Sequence, residues 1–167
     1  MNTEPLLIRP ATEADAPALL AIYRPYVDRT ATSFELEPPT TEAFAARIAK
    51  SLAGWAWLVA ELDGAMVGYA YGTAHRERAA YAKTVETAVY LDEAHRGRGA
   101  GTALYTELLR VLAAKGFHRA VAGITLPNAA SVALHERLGF ERIGVYKEVG
   151  FKFGLWHDTV WYQRGLG

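Results

Sequence analysis

The chain has 167 residues, no cysteine, 18 basic against 18 acidic side chains and 51% apolar residues, which suits one domain spanning 1–167 that buries a core without disulfides or a thiolate metal site. Zero formal charge gives no global pull toward nucleic acid or a membrane surface, and the absence of a thiol excludes any chemistry that runs through a covalent cysteine intermediate. Met1-Asn2-Thr3-Glu4-Pro5 carries neither a basic n-region nor an apolar h-region, and no apolar run reaches membrane-spanning length, so a cytoplasmic protein is expected.

Leu6, Leu7 and Ile8 read as a short strand, and Thr12 to Asp15 as a capping box opening a helix that runs to about Tyr23, where Pro25 is expected to interrupt it. The path to Phe34 is ambiguous. Pro38-Pro39 forces an extended turn before Thr40 or Thr41 caps a helix from about Glu42 to Leu52. Residues 55–61 and 65–73 make a hairpin about Asp63-Gly64, a pair that supplies the positive φ angles of a tight primed turn. Across the basic loop of Arg76 and Arg78, residues 84–91 alternate with a period of two. Val85, Val89 and Leu91 then share one face, and Thr84, Glu86 and Tyr90 the other.

Leu104, Tyr105, Leu108, Leu109 and Leu112 form the apolar stripe of a helix from about Gly101 to Lys115, with Gly116 as its left-handed cap. Residues 119–125 read as a buried strand. A helix from Ala129 to Leu138 stops at Gly139, and two aromatic-rich strands finish near 140–149 and 155–164. Strands and helices thus alternate irregularly around one mixed sheet, an α/β arrangement.

The most informative run is Arg96-Gly97-Arg98-Gly99-Ala100-Gly101-Thr102, set between the 84–91 strand and the following helix. Glycines remove the Cβ atoms that keep an anion from the backbone. The unpaired N–H groups that open the helix then face that anion, helped by the helix dipole. Arg96 and Arg98 add charge. No Gly-Lys-Ser/Thr ending is present, and glycines at 97, 99 and 101 do not spell G-x-G-x-x-G, so neither nucleotide-loop class fits.

What fits is Arg96-x-x-Gly99-x-Gly101, which resembles the pyrophosphate loop of the GCN5-related N-acetyltransferases (GNAT). Asn128 through Phe140, an Asn opening a helix that closes on Leu-Gly-Phe, resembles that superfamily's second signature. Thr84-Val85-Glu86, Leu134-His135-Glu136 and Trp156-His157-Asp158 are similar to its phosphinothricin and methionine sulfoximine acetyltransferases. The resemblance covers nearly the whole chain. It implies the GNAT fold: a central, mostly antiparallel sheet flanked by helices and splayed between its fourth and fifth strands, 84–91 and 119–125.

The resemblance also implies acetyl-CoA as cosubstrate. Val89, Tyr90 and Leu91 would hold the pantetheine arm and acetyl carbonyl through the backbone, as an added strand would. Gly97, Arg98, Gly99, Ala100, Gly101 and Thr102, with Arg96, would bind the pyrophosphate. Asn128 reads most plainly as a helix N-cap, and the resemblance adds contact with the cofactor arm.

Amine acetylation needs an ammonium to lose a proton before its lone pair attacks the thioester. Glu86, otherwise a solvated charge, is the expected general base. His135 is either a satisfied core residue or, as in the phosphinothricin subgroup, a group that protonates the leaving thiolate or assists Glu86. Tyr90 is a second candidate proton donor. Arg76 and Arg78 are either a solvated loop or guanidinium partners for an anionic acceptor, with Phe34 and Tyr81 as apolar walls.

Trp55, Trp57, Trp156 and Trp161 read as core aromatics, and His75, His95 and His118 show no ligand spacing, so no metal is expected. The reading is an acetyl-CoA-dependent N-acetyltransferase for the α-amino group of a small anionic amino-acid analogue. Its partners are a small-molecule amine and, by family habit, a second copy in a homodimer. Two alternatives stay open: acetylation of a peptide amino terminus or another amine, and a non-catalytic acyl-CoA sensor.

Overall fold

Hydrophobic alternation along the strands builds a single seven-stranded sheet: β1 (Leu7–Pro10), β2 (Trp57–Leu62), β3 (Ala65–Ala74), β4 (Thr84–Leu91), β5 (Arg119–Thr125), β6 (Glu141–Lys152) and β7 (Leu155–Gly165). The computed structural model describes residues 5–167; Met1 to Glu4, part of the start read in the sequence, lie outside the described residues. Spatial order is β1-β2-β3-β4-β5-β7-β6, antiparallel throughout except where β4 meets β5. No described helix is long and apolar enough to cross a membrane.

The two faces of the sheet carry separate cores. On one, α1 (Ala16–Arg29) and α2 (Thr41–Gly54) bury Leu19, Val27, Phe44 and Ile48 against Trp57, Val59 and Tyr69. On the other, α3 (Ala100–Ala114) and α4 (Ala129–Arg137) pack on Leu58, Val85, Ala120 and Ala122. The stripe read along α3 is all buried: Leu104, Leu108 and Leu112 have no accessible surface. Each such leucine contributes about 1.5–3 kcal/mol by burial, and Leu108→Ala is expected to cost about 2–5 kcal/mol once the cavity is included.

Local signals set the ends of most elements. Thr40 caps α2 by accepting from the Ala43 N–H at 3.1 Å, Asp63 and Gly64 take φ of 51° and 76° in the β2–β3 turn, and Gly116 closes α3 at φ 84°. Pro25 behaves differently from expectation. It lies inside α1, which continues to Arg29. The helix forfeits one N–H bond there, yet Val27 beyond it is fully buried, and Tyr23 and Ile22 before it nearly so. Tertiary burial of that last turn outweighs the local penalty.

One feature of the sheet matters most for the site. β4 and β5 pair only through Thr84 with Arg119, Val85 with Ala120 and Glu86 with Val121. Past Glu86 the strands part, β5 continuing against β7 and β4 against β3. The facing edge of β4 from Thr87 to Leu91 is therefore left without a strand partner, as the resemblance implies.

Candidate active site

Two cavities border this splay. The larger, about 760 Å³, is a cleft lined by Val89 and Leu91 of β4, Gly97, Gly99, Gly101 and Thr102 at the start of α3, and Asn128 and Leu134 of α4. Gly99 is the N-cap of α3, at a φ of 83° that only a glycine adopts cheaply. Added Cβ atoms at Gly97 or Gly99 would touch nothing within 4 Å, so the backbone lies open on that side. The first intrahelical bond is Ala103 N–H to Gly99 O at 3.0 Å, leaving the amides of Ala100, Gly101 and Thr102 without helical acceptors. An open backbone, free amides and a helix dipole fit a diphosphate.

The side chains of this loop divide unequally. Arg96 lines the cleft and donates to the Tyr26 hydroxyl at 2.8 Å, which itself donates to Leu91 O at 2.5 Å. Arg98 is exposed and outside the cleft lining, and the Ala100 methyl turns into the core. Asn128 takes its plain role, its Oδ1 accepting from the Ser131 N–H at 3.2 Å, and lines the cleft as well.

The second cavity, about 460 Å³, holds Glu86. Arg76 and His75, just past the end of β3, lie in it with Val121, Val145, Tyr146 and Trp161. Glu86 sits opposite Thr73 across β3 and opposite Val121 across β5, at the last paired step before the splay. Its Oε2 lies 3.2 Å from Nδ1 of His75. The His75 ring stands edge-on to Tyr81 at 5.8 Å and to Trp161 at 6.3 Å. Arg76 extends over the Tyr81 ring at 6.0 Å.

Several predicted site residues stand elsewhere. Tyr81 contacts the cavity only through His75 and Arg76. Arg78 is exposed and lines neither cavity. Phe34 packs on the β6–β7 hairpin, 6.3 Å from the His157 ring and against Gly150, where an added Cβ would meet its ring at 2.3 Å. The Tyr90 ring points away from the cleft into a cluster with Tyr23 and Tyr26 at 5.1 Å and Tyr69 at 5.5 Å. Burial of the phenol within that cluster holds its pKa well above the ordinary value, which favours the neutral form.

His135 is the clearest correction. It is 3% exposed and lines neither cavity. Its Nδ1 lies 2.7 Å from Ser131 O, a carbonyl that can only accept, so the ring proton is on Nδ1. Bare Nε2 then accepts from the Tyr105 hydroxyl at 2.9 Å, which in turn accepts from Thr87 at 2.6 Å. Phe140 and Tyr162 close the ring in. Burial lowers its pKa, partly offset by the Ser131 bond, so the neutral form is favoured. Both nitrogens are committed, and the chain from Thr87 through Tyr105 to His135 ties β4, α3 and α4 together.

The residues passed over in the sequence are His75 and Trp161. Trp161 is no core filler: its indole lies over Gly123, where a Cβ would come within 3.0 Å of the ring, and its Nε1 is buried without a hydrogen-bond partner. A glycine inside a buried strand signals such an approach, so Gly123 was the available clue. Lys152 is a third. Its buried ammonium donates to Val27 O at 2.7 Å and Ser33 O at 2.8 Å, pinning the end of α1 and the loop after it to the hairpin. Among the described residues no cluster of His, Asp and Glu could hold a metal.

Comparison with known proteins agrees with this fold. Residues 8–161 match the family described as Acetyltransferase (GNAT) domain. The chain is 41% identical over 160 residues to a phosphinothricin N-acetyltransferase of Streptomyces viridochromogenes, covering 96% of this chain and 87% of that one. It is 38% identical over 161 residues to an L-methionine sulfoximine/L-methionine sulfone acetyltransferase of Pseudomonas paraeruginosa, covering 95% and 94%. A crystal structure of a phosphinothricin acetyltransferase from Sinorhizobium meliloti in complex with acetyl-CoA superposes with a TM-score of 0.94 at 39% identity, covering 98% of this chain and 90% of that one. The chain with the splayed sheet and the glycine-opened α3 thus belongs to the GNAT acetyltransferases.

Proposed function

We propose that this chain transfers the acetyl group of acetyl-CoA directly to the α-amino group of a small anionic amino-acid analogue, of the phosphinothricin or methionine sulfoximine type. The observation that carries the reading is the placing of one carboxylate, Glu86, at the step where β4 and β5 part. On one side of that step lies the cleft suited to a diphosphate and an extended arm, and on the other a cavity with Arg76. The amide-lined cleft holds the donor. Arg76 pairs the acceptor's carboxylate or phosphinate, whose two oxygens match a guanidinium fork. Polyamines and aminoglycosides call for acidic pockets and do not suit a cavity with that cation.

Glu86 acts as general base, taking the ammonium proton so that the nitrogen lone pair attacks the thioester carbonyl. Most of the rate gain comes from holding amine and thioester in line, with Val89, Tyr90 and Leu91 serving through their main chain. The relatives' names support the substrate class. A second copy is proposed to dock on the β6–β7 hairpin, whose Phe151, Phe153, Leu155 and Trp156 stand more than half exposed. A patch of that kind on a soluble chain marks an interface, and light scattering at micromolar concentration is expected to return twice the chain mass.

The decisive experiment is release of free thiol from acetyl-CoA with a panel of amines. Turnover on phosphinothricin or methionine sulfoximine, with spermine and short peptides inert, is the expected outcome. Activity on peptides alone would replace the acceptor, and acetyl-CoA binding with no turnover on any amine would leave an acyl-CoA sensor.

A further inference from the structure

We infer that a third cavity, beside β3, holds the far end of the acceptor, and that the Tyr69 and Tyr71 hydroxyls read the oxygen on its phosphinate or sulfoximine tip. The inference deepens the proposed function and rests on the acceptor amine being held at Glu86. Its starting point is a shortfall. Phosphinothricin carries a carboxylate at one end and a phosphinate at the other, whereas Arg76 has a single guanidinium fork. Arg78 lines neither cavity described above, so the Glu86 cavity offers no second guanidinium for the other end.

The third cavity, of about 330 Å³, is walled by rings. Trp57 lies 4.3 Å from Tyr71 and 5.3 Å from Tyr69, stacked on both, and Phe44 stands edge-on to Trp57 at 5.6 Å. Such walls suit the methylene arm and terminal methyl of these amino acids. Much of the polar lining is already committed within the protein. Ser51 Oγ bonds Ala56 O at 2.9 Å and Gly72 O at 2.8 Å, the Tyr23 hydroxyl bonds Ser33 Oγ at 2.6 Å and Glu35, and Arg47 pairs with Glu35. Tyr69 and Tyr71 differ. Among the described residues their hydroxyls have no hydrogen-bond partner, although Tyr69 is only 1% exposed. Burial holds both phenols above the ordinary range, Tyr71 at about 12, so both stay protonated and able to donate to an oxygen. Lys50, exposed at the edge of the cavity and without a carboxylate partner among the described residues, adds charge for an anionic phosphinate.

The cavity lies within reach of Glu86. Thr73, also in its lining, pairs with Glu86 across β3 and β4, and Tyr71 precedes Thr73 on the same face of β3. Directly paired residues share a face, so the carboxylate and the phenols stand on one side of the sheet. Tyr71 is one pleat, about 7 Å, from Thr73. Four bonds separate the amine of phosphinothricin or methionine sulfoximine from its phosphorus or sulfur, a comparable span once the tip oxygen is added. With the amine at Glu86 and the carboxylate on Arg76 just past the end of β3, the side chain runs back along β3 toward Tyr71.

The test uses a matched pair, methionine sulfoximine and methionine, which differ only in the oxygen and nitrogen carried on sulfur. In the wild type kcat/KM is expected to favour the sulfoximine. Tyr69→Phe and Tyr71→Phe each delete one hydroxyl that bonds nothing in the protein, so melting temperatures should match the wild type. Each is expected to reduce the sulfoximine-to-methionine ratio of kcat/KM about fivefold, the worth of one hydrogen bond. A ratio cancels the general loss of activity that a merely structural role would cause. A fall in either variant upholds the inference, and ratios within about twofold of wild type in both overturn it. Calorimetry on protein saturated with coenzyme A reads the same preference as a ratio of Kd, without turnover, and so separates the two layers. A hydroxyl-dependent preference in binding with no acetyl transfer would remove the proposed reaction and keep the role of the cavity. Acetyl transfer at a ratio that ignores both hydroxyls would do the opposite, and binding of neither amino acid would remove both.

Discussion

The cleft and the Glu86 cavity lie on either side of one splayed pair of strands, yet they are made of different material. The end of the cleft suited to a diphosphate is built from main chain: glycines 97, 99 and 101, the first amides of α3 and the unpaired edge of β4. The cavity is built from side chains contributed by β4, β5, β6, β7 and the loop after β3. A backbone site recognises a constant ligand and tolerates change in its side chains, as the outward-turned Arg98 and inward-turned Ala100 illustrate. A side-chain site can be retuned residue by residue. On the proposed function, donor recognition and acceptor choice are thereby separated within one sheet.

The strongest way to break this separation is at the carboxylate between the two. Glu86→Gln is expected to lower kcat by about 10²–10⁴, the usual worth of a positioned general base, while acetyl-CoA binds as before. Steady-state kinetics beside calorimetry check both halves, and turnover within about threefold of wild type would put the base elsewhere.

Two glycines sharpen the contrast in opposite directions. Gly99 sits at φ 83°, and Gly99→Ala places a Cβ in left-handed backbone at a cost of about 1–2 kcal/mol. The KM for acetyl-CoA is expected to rise up to about tenfold, with the KM for the acceptor little changed. Gly123→Ala does the reverse. Its Cβ would come within 3.0 Å of Trp161, and the indole must shift within the Glu86 cavity. The acceptor KM is expected to rise about fivefold, since small misplacements of substrate-holding groups carry through to rate and binding, and acetyl-CoA affinity stays put. Equal effects of either glycine on both substrates would mean the two cavities are not independent.

The same difference explains what could be read from the chain. The glycine loop at one end of the cleft was legible because its residues are neighbours in sequence and open an amphipathic helix. The period-two faces of 84–91 likewise placed Glu86 correctly opposite Val85 and Val89. Of the cavity only Glu86 and Arg76 were legible, because His75 reaches Glu86 only through the register that sets Thr73 against it, and Trp161 enters through the pairing of β7 with Gly123 of β5. Phe34 was misplaced for a related reason: its partner, Gly150, is more than a hundred residues away in a hairpin whose docking no local pattern announces. Pro25 shows burial overriding a local rule.

The two histidines carry the comparison to its smallest measurable effect. His75 lies in the side-chain cavity, whereas His135 lies in the wall between the cleft and the core, tied through Tyr105 to Thr87 beside the splay. Tyr105→Phe removes the donor to Nε2 and strands a buried acceptor, at about 1–3 kcal/mol. His135 also adds a pH signature. Its folded pKa lies below the ordinary 6.5 because burial disfavours the charged ring, so as pH falls the unfolded chain takes the proton first. The stability contributed by the neutral ring is complete above pH 6.5 and is lost as pH falls toward the folded value. His135→Gln is therefore expected to start from a lower melting temperature yet lose less of it between neutral pH and pH 5 than the wild type does. Parallel melting curves against pH in the two proteins would return His135 to the solvent-facing site, while a flatter curve in the variant fixes it as part of the wall.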